Sequence, residues 1–255
     1  YGPRFNVIFL LNILISDPQN KYYYKHDINL ILPQNKRFIF LMLEDIQTFY
    51  EESFDTIKKI KKHEINIDEI DDSEIDRFEN LVINYLTFGQ HFLRFIELIT
   101  IDQVQIFASS EVLDKFCIFI NYLIKELAGP NTLALKIKDP AKIKFDPLLI
   151  LKSVGNILIN INYQTEILKN LSQERQYSEE NLNKMINIIM KKNLYDNQSW
   201  YKSDLLLKIK NKINDLKTTT IDFDMYDPPE ELCDPLLTTL IKEPVKIPTS
   251  DIFMD

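Results

Sequence analysis

The sequence predicts an all-α protein that ends in a short β-rich segment. Apolar residues recur at helical spacing through most of the 255 positions. The chain holds only 4 glycines, which favours long helices over many tight turns. Towards the C-terminal end, prolines and alternating apolar residues replace this pattern. Packing the helices in antiparallel pairs gives either a bundle or an irregular α-solenoid, since no repeat of fixed period is visible.

About eight amphipathic helices are expected before residue 222. The first is apolar nearly all round, so we expect it to be buried on several sides. The others carry an apolar stripe on one face. The helices that can be placed individually lie at residues 5–15, 37–61, 73–99, 110–127, 148–162, 178–189 and 203–216.

Several helix ends carry recognisable signals. Ser73 followed by Asp76 resembles a capping box, with Asp where Glu or Gln is usual. Gly129-Pro130 is typical of a helix end, with glycine just past the last turn and proline beyond it. Asp146-Pro147 predicts a helix start, with an N-cap residue followed by a first-turn proline.

The segment 226–255 predicts a β-hairpin. Val245-Lys246-Ile247 alternates as a strand does, Pro248–Asp251 is a turn, and Ile252-Phe253-Met254 can return as the second strand. A linker at residues 217–222 separates it from the helices. A single hairpin buries too little apolar surface to be stable alone, so we expect the first half of a small domain.

Composition excludes several classes of protein. A formal net charge of -8 argues against a general nucleic-acid binder, which needs a basic face. Cys117 and Cys233 are too few for a disulfide framework or a cysteine-based zinc site, and they suit a reducing compartment. The longest apolar run, residues 5–15, is too short to span a bilayer. A chain that opens with Tyr1 is expected to be a fragment.

No catalytic constellation is recognisable. His26, His63 and His91 lack metal-ligand spacing, and His91 lies in an apolar stripe, as a core or boundary histidine does. Cys117 lies on an apolar helix face and has no neighbouring base, so we interpret it as a small hydrophobic residue. There is no phosphate-binding loop and no nucleophile elbow. We therefore expect no catalytic residue, no metal and no cofactor.

The C-terminal segment resembles the N-terminal half of the U-box of the ubiquitin conjugation (chain-elongation) factors. The residues that carry this resemblance are Leu232, Asp234-Pro235-Leu236, Thr239-Leu240-Ile241, Glu243-Pro244-Val245, Ile247–Ser250 and Asp255. Further upstream, other segments are similar to the helical core of the same family. They are Leu127–Pro130, Leu135–Pro140, Phe145-Asp146-Pro147, Glu174–Ser178 with Leu182 and, more loosely, Phe38–Ile60.

The resemblance implies a fold and an activity. Residues 1–222 would form the all-helical, armadillo-like solenoid core, and residues 226–255 a truncated α+β U-box, which is a zinc-free relative of the RING domain. The family binds a ubiquitin-charged conjugating enzyme and promotes polyubiquitin chain assembly for proteasomal degradation. Such a ligase needs no nucleophile of its own, because holding the conjugate in an attack-ready arrangement lowers the barrier. The alternative is a non-catalytic α-solenoid scaffold or adaptor in the same pathway.

By match of position, the resemblance also implies a contact surface for the conjugating enzyme. Leu236 would be the main hydrophobic contact and Pro235 would shape its loop. Pro244, Leu240 and Ile241 are further candidates, although Leu240 and Ile241 suit a core position equally well. Thr238 stands where related U-boxes carry a bulkier residue, which bears on the choice of conjugating enzyme. The second contact loop would lie beyond Asp255, so residues 1–255 alone are expected to be inactive.

The implied partners are a ubiquitin-conjugating enzyme, ubiquitin, ubiquitylated substrates and a valosin-containing-type AAA ATPase. Neither nucleic acid nor a membrane is expected as a partner. The protein is expected to be a monomer in the cytoplasm and the nucleus.

Overall fold

A computed structural model describes residues 2–16, 34–65, 71–195, 201–218, 245–246 and 253–254. The chain divides into two compact units, Tyr1–Lys217 and Thr218–Asp255. The division falls at the start of the predicted linker. The assignment of residues 1–222 and 226–255 to the two domains of the family stays a prediction.

Across the described residues, the helical part consists of eight α-helices and two short 3-10 helices, which confirms an all-α core. The α-helices are α1 Gly2–Ser16, α2 Lys36–Ile65, α3 Asp72–Asp102, α4 Ser110–Ala128, α5 Pro147–Asn160, α6 Thr165–Gln173, α7 Glu179–Lys191 and α8 Tyr201–Thr218. The 3-10 helices span Val104–Ala108 and Pro130–Leu135. The solenoid arrangement stays a prediction.

The helices pack around one apolar core. α3 contacts α1, α2 and α5, while α4 contacts α2, α5, α6 and α7. Large aromatic rings fill the centre, and their burial is the main stabilising term in such a core. Phe49, for example, meets Phe92 edge to face with ring centroids 5.4 Å apart. The fully buried aromatic residues include Phe49, Tyr50, Phe54, Phe92, Phe95, Phe107, Phe116 and Phe119.

Two predicted helix starts are confirmed in detail. The carboxylate of Asp146 accepts hydrogen bonds from the backbone N–H groups of Leu148 and Leu149, at 3.0 and 3.1 Å, and Pro147 occupies the first turn of α5. The hydroxyl of Ser178 accepts from the N–H of Asn181 at 3.3 Å and caps α7. Each cap satisfies a backbone N–H that would otherwise lack a partner, a contribution of about 1 kcal/mol.

One predicted helix start differs from the structure. The capping box at Ser73 is wrong, because α3 begins at Asp72 with Asp71 as the N-cap residue, and the Ser73 hydroxyl donates to the Asp71 carboxylate at 2.6 Å. The backbone carbonyl of Asp71 accepts from the N–H groups of Glu74 and Ile75 at 2.9 and 3.2 Å, so the helix starts there without a side-chain cap. The predicted helix end at Gly129-Pro130 is confirmed, since Gly129 follows the last residue of α4, with an extended backbone (φ -81°, ψ -171°).

α1 is less buried than its composition predicted. Only Ile8 and Asn12 of its described side chains are buried, whereas Val7, Leu10 and Ile13 are 45%, 58% and 49% exposed. The helix lies against α3 through one face, and the side-chain amide of Asn12 donates to the carbonyl of His91 at 2.8 Å. The expected burial on several sides is therefore wrong for the described part of the chain.

Besides Thr218 at the end of α8, the described residues of the second unit form one strand pair. Val245–Lys246 pairs antiparallel with Phe253–Met254, and Val245 lies opposite Met254. Both pairs fall inside the strands predicted from the sequence. The predicted turn at Pro248–Asp251 lies outside the described residues.

Candidate functional site

The predicted contact residues for a conjugating enzyme lie outside the described residues. They are Pro235, Leu236, Leu240, Ile241 and Pro244. The first described residue after them is Val245, which begins the strand pair. Their contact role stays a prediction.

Two upstream motifs that are remote in sequence meet at the end of α4. Lys125, in the last turn of α4, extends its ammonium towards the amide oxygen of Gln176, at 3.4 Å. Pro130 from one motif and Arg175, Gln176 and Ser178 from the other line a shared polar groove of about 650 Å³. We call this surface the motif junction.

The carboxylate of Glu174 holds the two sides of the motif junction together. Its carboxylate accepts a hydrogen bond from the side-chain amide of Asn121 at 2.9 Å and from the backbone N–H of Gln176 at 3.0 Å. Asn121 is buried in α4 and also donates to the carbonyl of Leu171 at 3.0 Å. The carboxylate therefore fixes the turn between α6 and α7 against α4, since a buried amide must find partners.

Tyr177 extends the same motif to the last helix. Its hydroxyl donates to the side-chain oxygen of Asn214 in α8 at 2.8 Å, and the amide of Asn214 donates to Glu179 at 2.7 Å. Burial, with a smaller contribution from Glu179, raises the pKa of Tyr177 to about 12. The segment 174–178 thus joins α4, α7 and α8. These contacts give the segment a structural role in holding three helices together. The sequence resemblance did not indicate this role.

The motif that contains Pro130 continues into an ordered connection between α4 and α5. Ile137, Ile143 and Phe145 are buried, and the ring of Phe145 meets that of Phe54 in α2 edge to face at 6.0 Å. The connection encloses an apolar groove of about 220 Å³, which we call the leucine groove. Its apolar lining comes from Leu127, Leu133, Leu135, Ile137, Pro140, Phe145 and Pro147.

Two of the side chains considered for chemistry, Cys117 and His91, lie in structural positions. The thiol of Cys117 is buried and lies 3.7 Å from the carbonyl oxygen of Ile167, and burial raises the pKa of this thiol. The ring of His91 lies edge-on to Phe5 and Phe9 at 5.7 and 5.2 Å, and burial lowers its pKa. Both residues behave as the sequence predicted, as a small hydrophobic residue and a boundary histidine.

A buried carboxylate that the sequence did not single out ties α3 to α5. Glu97 accepts hydrogen bonds from Ser153, Asn156 and Arg94, at 3.0, 3.0 and 2.9 Å. The amide of Asn160 reaches the backbone carbonyl of Glu97 at 3.1 Å. The spacing of Ser153, Asn156 and Asn160 along one face of α5 was the available signal, because polar residues inside an apolar helix need a partner.

No metal centre and no membrane-spanning helix were found in the described parts of the chain. In residues 2–16, 34–65, 71–195, 201–218 and the strand pair, no group of three or more acidic, histidine or cysteine side chains could hold an ion. Within those same ranges, no helix combines the length and the apolar character needed to cross a bilayer. The described residues form surface grooves, among them the motif junction and the leucine groove, and internal polar contacts between helices.

Comparisons with known proteins point to one family. A family model described as ubiquitin elongating factor core matches residues 4–210. That range includes the motif junction and the leucine groove, and it ends before the strand pair.

Curated relatives carry matching names. The ubiquitin conjugation factor E4 of Schizosaccharomyces pombe is 25% identical over 241 residues, which cover 88% of this chain and 23% of that protein. The E4 ubiquitin-protein ligase UFD2 of Saccharomyces cerevisiae is 26% identical over 166 residues, or 64% of this chain and 17% of the relative. The ubiquitin conjugation factor E4 A of Bos taurus is 24% identical over 239 residues, or 86% and 22%. The chain thus spans about a fifth of the length of these relatives.

Proposed function

The chain belongs to the ubiquitin elongating factor core family, and from this premise we propose that the protein containing it elongates ubiquitin chains as a ubiquitin-protein ligase. The observation that carries the proposal is the family match over residues 4–210. The names of the relatives, ubiquitin conjugation factor and ubiquitin-protein ligase, support the same activity.

In the proposed mechanism the ligase positions the reacting groups. The ubiquitin thioester belongs to the conjugating enzyme, and the attacking amine belongs to a lysine of the substrate or of ubiquitin. Holding the thioester in one attack-ready arrangement removes orientational freedom from the barrier. The helical core supplies a stiff support for this, since α2 and α3, of 30 and 31 residues, are each anchored by buried aromatic rings.

We further propose that the conjugating enzyme docks on the loop around Leu236. Pro235 shapes this loop, and Leu240, Ile241 and Pro244 extend the contact. Aliphatic anchors in a shallow groove are typical of contacts that carry much of the binding energy. The antiparallel pairing that starts at Val245, directly after Pro244, supports a compact hairpin at the expected place in such a domain.

The proposed partners follow from the family. They are a ubiquitin-conjugating enzyme, ubiquitin, ubiquitylated substrates and a valosin-containing-type AAA ATPase. We propose that the protein acts as a monomer in the cytoplasm and the nucleus. A solenoid arrangement of the helices belongs to the same proposal.

A ubiquitin-discharge assay tests the proposal. The gene product that contains residues 1–255 is mixed with a ubiquitin-charged conjugating enzyme, and loss of the thioester is followed with free lysine as acceptor. We expect faster discharge with the wild-type protein and a loss of about tenfold or more of that acceleration with Leu236→Ala. Leu149→Ala, an exposed leucine on α5, is the matched control and should leave the rate unchanged.

Two results would contradict the proposal. A wild-type protein that does not accelerate discharge would favour the non-catalytic scaffold. Equal rates for wild type and Leu236→Ala would exclude the proposed loop while leaving the family activity in place. Circular dichroism of each variant checks that the helical core is folded.

A further inference from the structure

The leucine groove has no part in the proposed ubiquitin transfer. It lies in the connection between α4 and α5, and Leu133 at its edge is 76% exposed. Single exposed leucines are common on protein surfaces. This one stands over a groove whose other walls are apolar, which is the geometry of a small hydrophobic contact site.

The groove suits an apolar side chain. Its polar lining is limited to Thr132 and Lys136, and the hydroxyl of Thr132 already donates to the carbonyl of Gly129 at 2.6 Å. An apolar cavity of about 150 Å³ can hold a benzene ring. A groove of about 220 Å³ therefore accepts one or two aliphatic or aromatic side chains, and it is small for a cofactor or a drug-sized molecule.

The surrounding segment is basic, although the whole chain carries a net charge of -8. Lys136, Lys138, Lys142 and Lys144 lie within nine residues. Lys142 pairs with Glu79 at 2.6 Å. The other three are exposed, and none has a carboxylate partner in the described part of the chain.

The acidic residues of the same segment accept hydrogen bonds from backbone N–H groups. Asp139 accepts the backbone N–H of Lys142 at 3.2 Å, and Asp146 caps α5. Glu64 of α2 accepts the backbone N–H of Lys138 at 2.8 Å and pairs with Lys61 at 3.4 Å. Bonds to neutral backbone N–H groups leave the charges of Asp139 and Asp146 in place. Over residues 136–146, however, four lysines outnumber these two aspartates, so a positive charge remains beside the apolar groove.

The segment is held in place before any partner binds. Ile143 and Phe145 are 1% and 6% exposed, so they anchor it in the core. The backbone N–H of Phe145 donates to the carbonyl of Pro140 at 2.9 Å and closes the turn. A surface that is already ordered loses little conformational entropy on binding.

We propose that the leucine groove binds an acidic segment of a partner protein, which inserts one leucine or aromatic side chain beside Leu133 while its carboxylates face Lys136, Lys138 and Lys144. Charge complementarity sets the sign of the partner, and the apolar groove sets its anchor residue. This inference rests on the geometry of residues 127–147 and does not depend on the proposed ligase activity.

Fluorescence polarisation with the 255-residue chain tests the proposal. The probe is a labelled peptide in which a Leu-Phe pair lies between two runs of Asp and Glu. One control peptide carries Ser-Ser in place of Leu-Phe, and another carries Lys in place of the acidic residues. We expect the probe to bind about tenfold or more tightly than either control, and its affinity to fall as salt is raised.

Matched variants locate the site. Leu133→Asp and Lys136→Glu should each weaken binding of the probe by about tenfold, because one removes the apolar edge and the other reverses the charge. Leu149→Asp on α5 and Lys191→Glu on α7 are controls at exposed residues that do not line the groove, and they should change nothing. Methyl NMR of the wild-type chain should show shifts at Leu133 and Ile137 on addition of the probe, and a folded spectrum for each variant.

Several results would overturn the proposal. They are equal binding of the Leu-Phe and Ser-Ser peptides, no effect of Leu133→Asp, or shifts confined to other methyl groups. Displacement of the probe by a single-stranded oligonucleotide without any dependence on Leu133 would indicate a nucleic-acid surface. A dimer of the chain that Leu133→Asp dissociates would indicate that a second copy occupies the groove.

Discussion

Gly129 lies so close to Lys125 that a side chain at Gly129 has no room. A Cβ atom built there falls well inside contact distance of the carbonyl oxygen of Lys125, and 3.1 Å from its carbonyl carbon. The backbone N–H of Gly129 donates to the same carbonyl at 2.9 Å. The glycine at the end of α4 is therefore required by close approach, since its φ of -81° is open to any residue.

We predict that Gly129→Ala destabilises the protein by about 2 kcal/mol or more. The added methyl group meets backbone atoms, so the end of α4 must shift, and forced overpacking costs about 1–3 kcal/mol. The amide nitrogen of Asn181, 3.3 Å from the same position, restricts the shift further. Urea unfolding followed by circular dichroism measures the change in the free energy of unfolding.

Gly89→Ala in α3 is the matched control. A Cβ atom there lies 3.1 Å from the ring of Tyr50, which is a side chain, and alanine gains helix propensity of up to about 1 kcal/mol in return. We expect a smaller loss than at Gly129. An equal loss in the two variants would contradict the argument from backbone contact.

A second prediction concerns the hydroxyl of Tyr50. This side chain is fully buried in α2, and its hydroxyl has no hydrogen-bond partner among the described residues. An unsatisfied buried hydroxyl costs about 1–3 kcal/mol. We therefore expect Tyr50→Phe to raise the free energy of unfolding by about 1 kcal/mol.

Tyr177→Phe provides the opposite case. The hydroxyl of Tyr177 donates to Asn214 at 2.8 Å, so its removal should lower the free energy of unfolding by about 0.5–1.5 kcal/mol. Thermal and urea unfolding of the two variants should give shifts of opposite sign. A loss of stability in Tyr50→Phe would show that its hydroxyl is satisfied.

The third prediction concerns stability at alkaline pH. Burial is the main cause of the raised pKa of the Cys117 thiol, and the charges of Asp114 and Glu174 add to it. In the unfolded chain a thiol ionises near pH 8.5. Above that pH the unfolded state releases a proton that the folded state keeps, so the free energy of unfolding falls as pH rises.

Cys117→Ala should remove this part of the pH dependence. The limiting slope for one such group is about 1.4 kcal/mol per pH unit, and tyrosine and lysine titrate only near pH 10 and above. We expect wild type to lose more stability than the variant between about pH 8 and 9.5, each compared with its own value at pH 7. Parallel curves would show that the thiol does not ionise differently in the two states.

Local signals in the sequence predicted those parts of the fold that depend on neighbouring residues. Asp146-Pro147 and Ser178 cap their helices as expected because an N-cap bond spans only two or three residues. The predicted capping box at Ser73 was wrong. α3 begins at Asp72 without a side-chain cap, because the backbone carbonyl of Asp71 accepts its first hydrogen bonds, and the sequence signal at Ser73 does not show this.

Contacts between distant segments were harder to predict. The composition of α1 indicates apolar surroundings but not how many helices pack against it, and within the described part of the chain one face of α1 is buried. α6 was not placed individually, since its nine residues hold barely two turns of apolar stripe. The motif junction likewise depends on Asn121 meeting Glu174 across 53 positions. Periodicity carries no information about such a pair.

The last prediction concerns Lys144, whose backbone lies in the left-handed region with φ 55°. Residues other than Gly, Asn and Asp are strained there by about 1–2 kcal/mol. Glycine removes this strain but makes the unfolded chain more flexible by about 0.5–1 kcal/mol. We therefore expect Lys144→Gly to leave stability unchanged or raise it by up to about 1 kcal/mol.

Two substitutions test the same argument from either side. Asn193, with φ 47°, tolerates the left-handed region, so Asn193→Gly should gain less than Lys144→Gly in urea unfolding. Lys144→Val should lose about 1 kcal/mol or more, because a β-branched side chain clashes in that region. A stabilised Lys144→Gly variant that also binds the acidic peptide less tightly would show that the lysine serves the leucine groove and not the fold. A clear loss of stability in Lys144→Gly would contradict both the backbone strain at Lys144 and the conclusion that its side chain does not serve the fold.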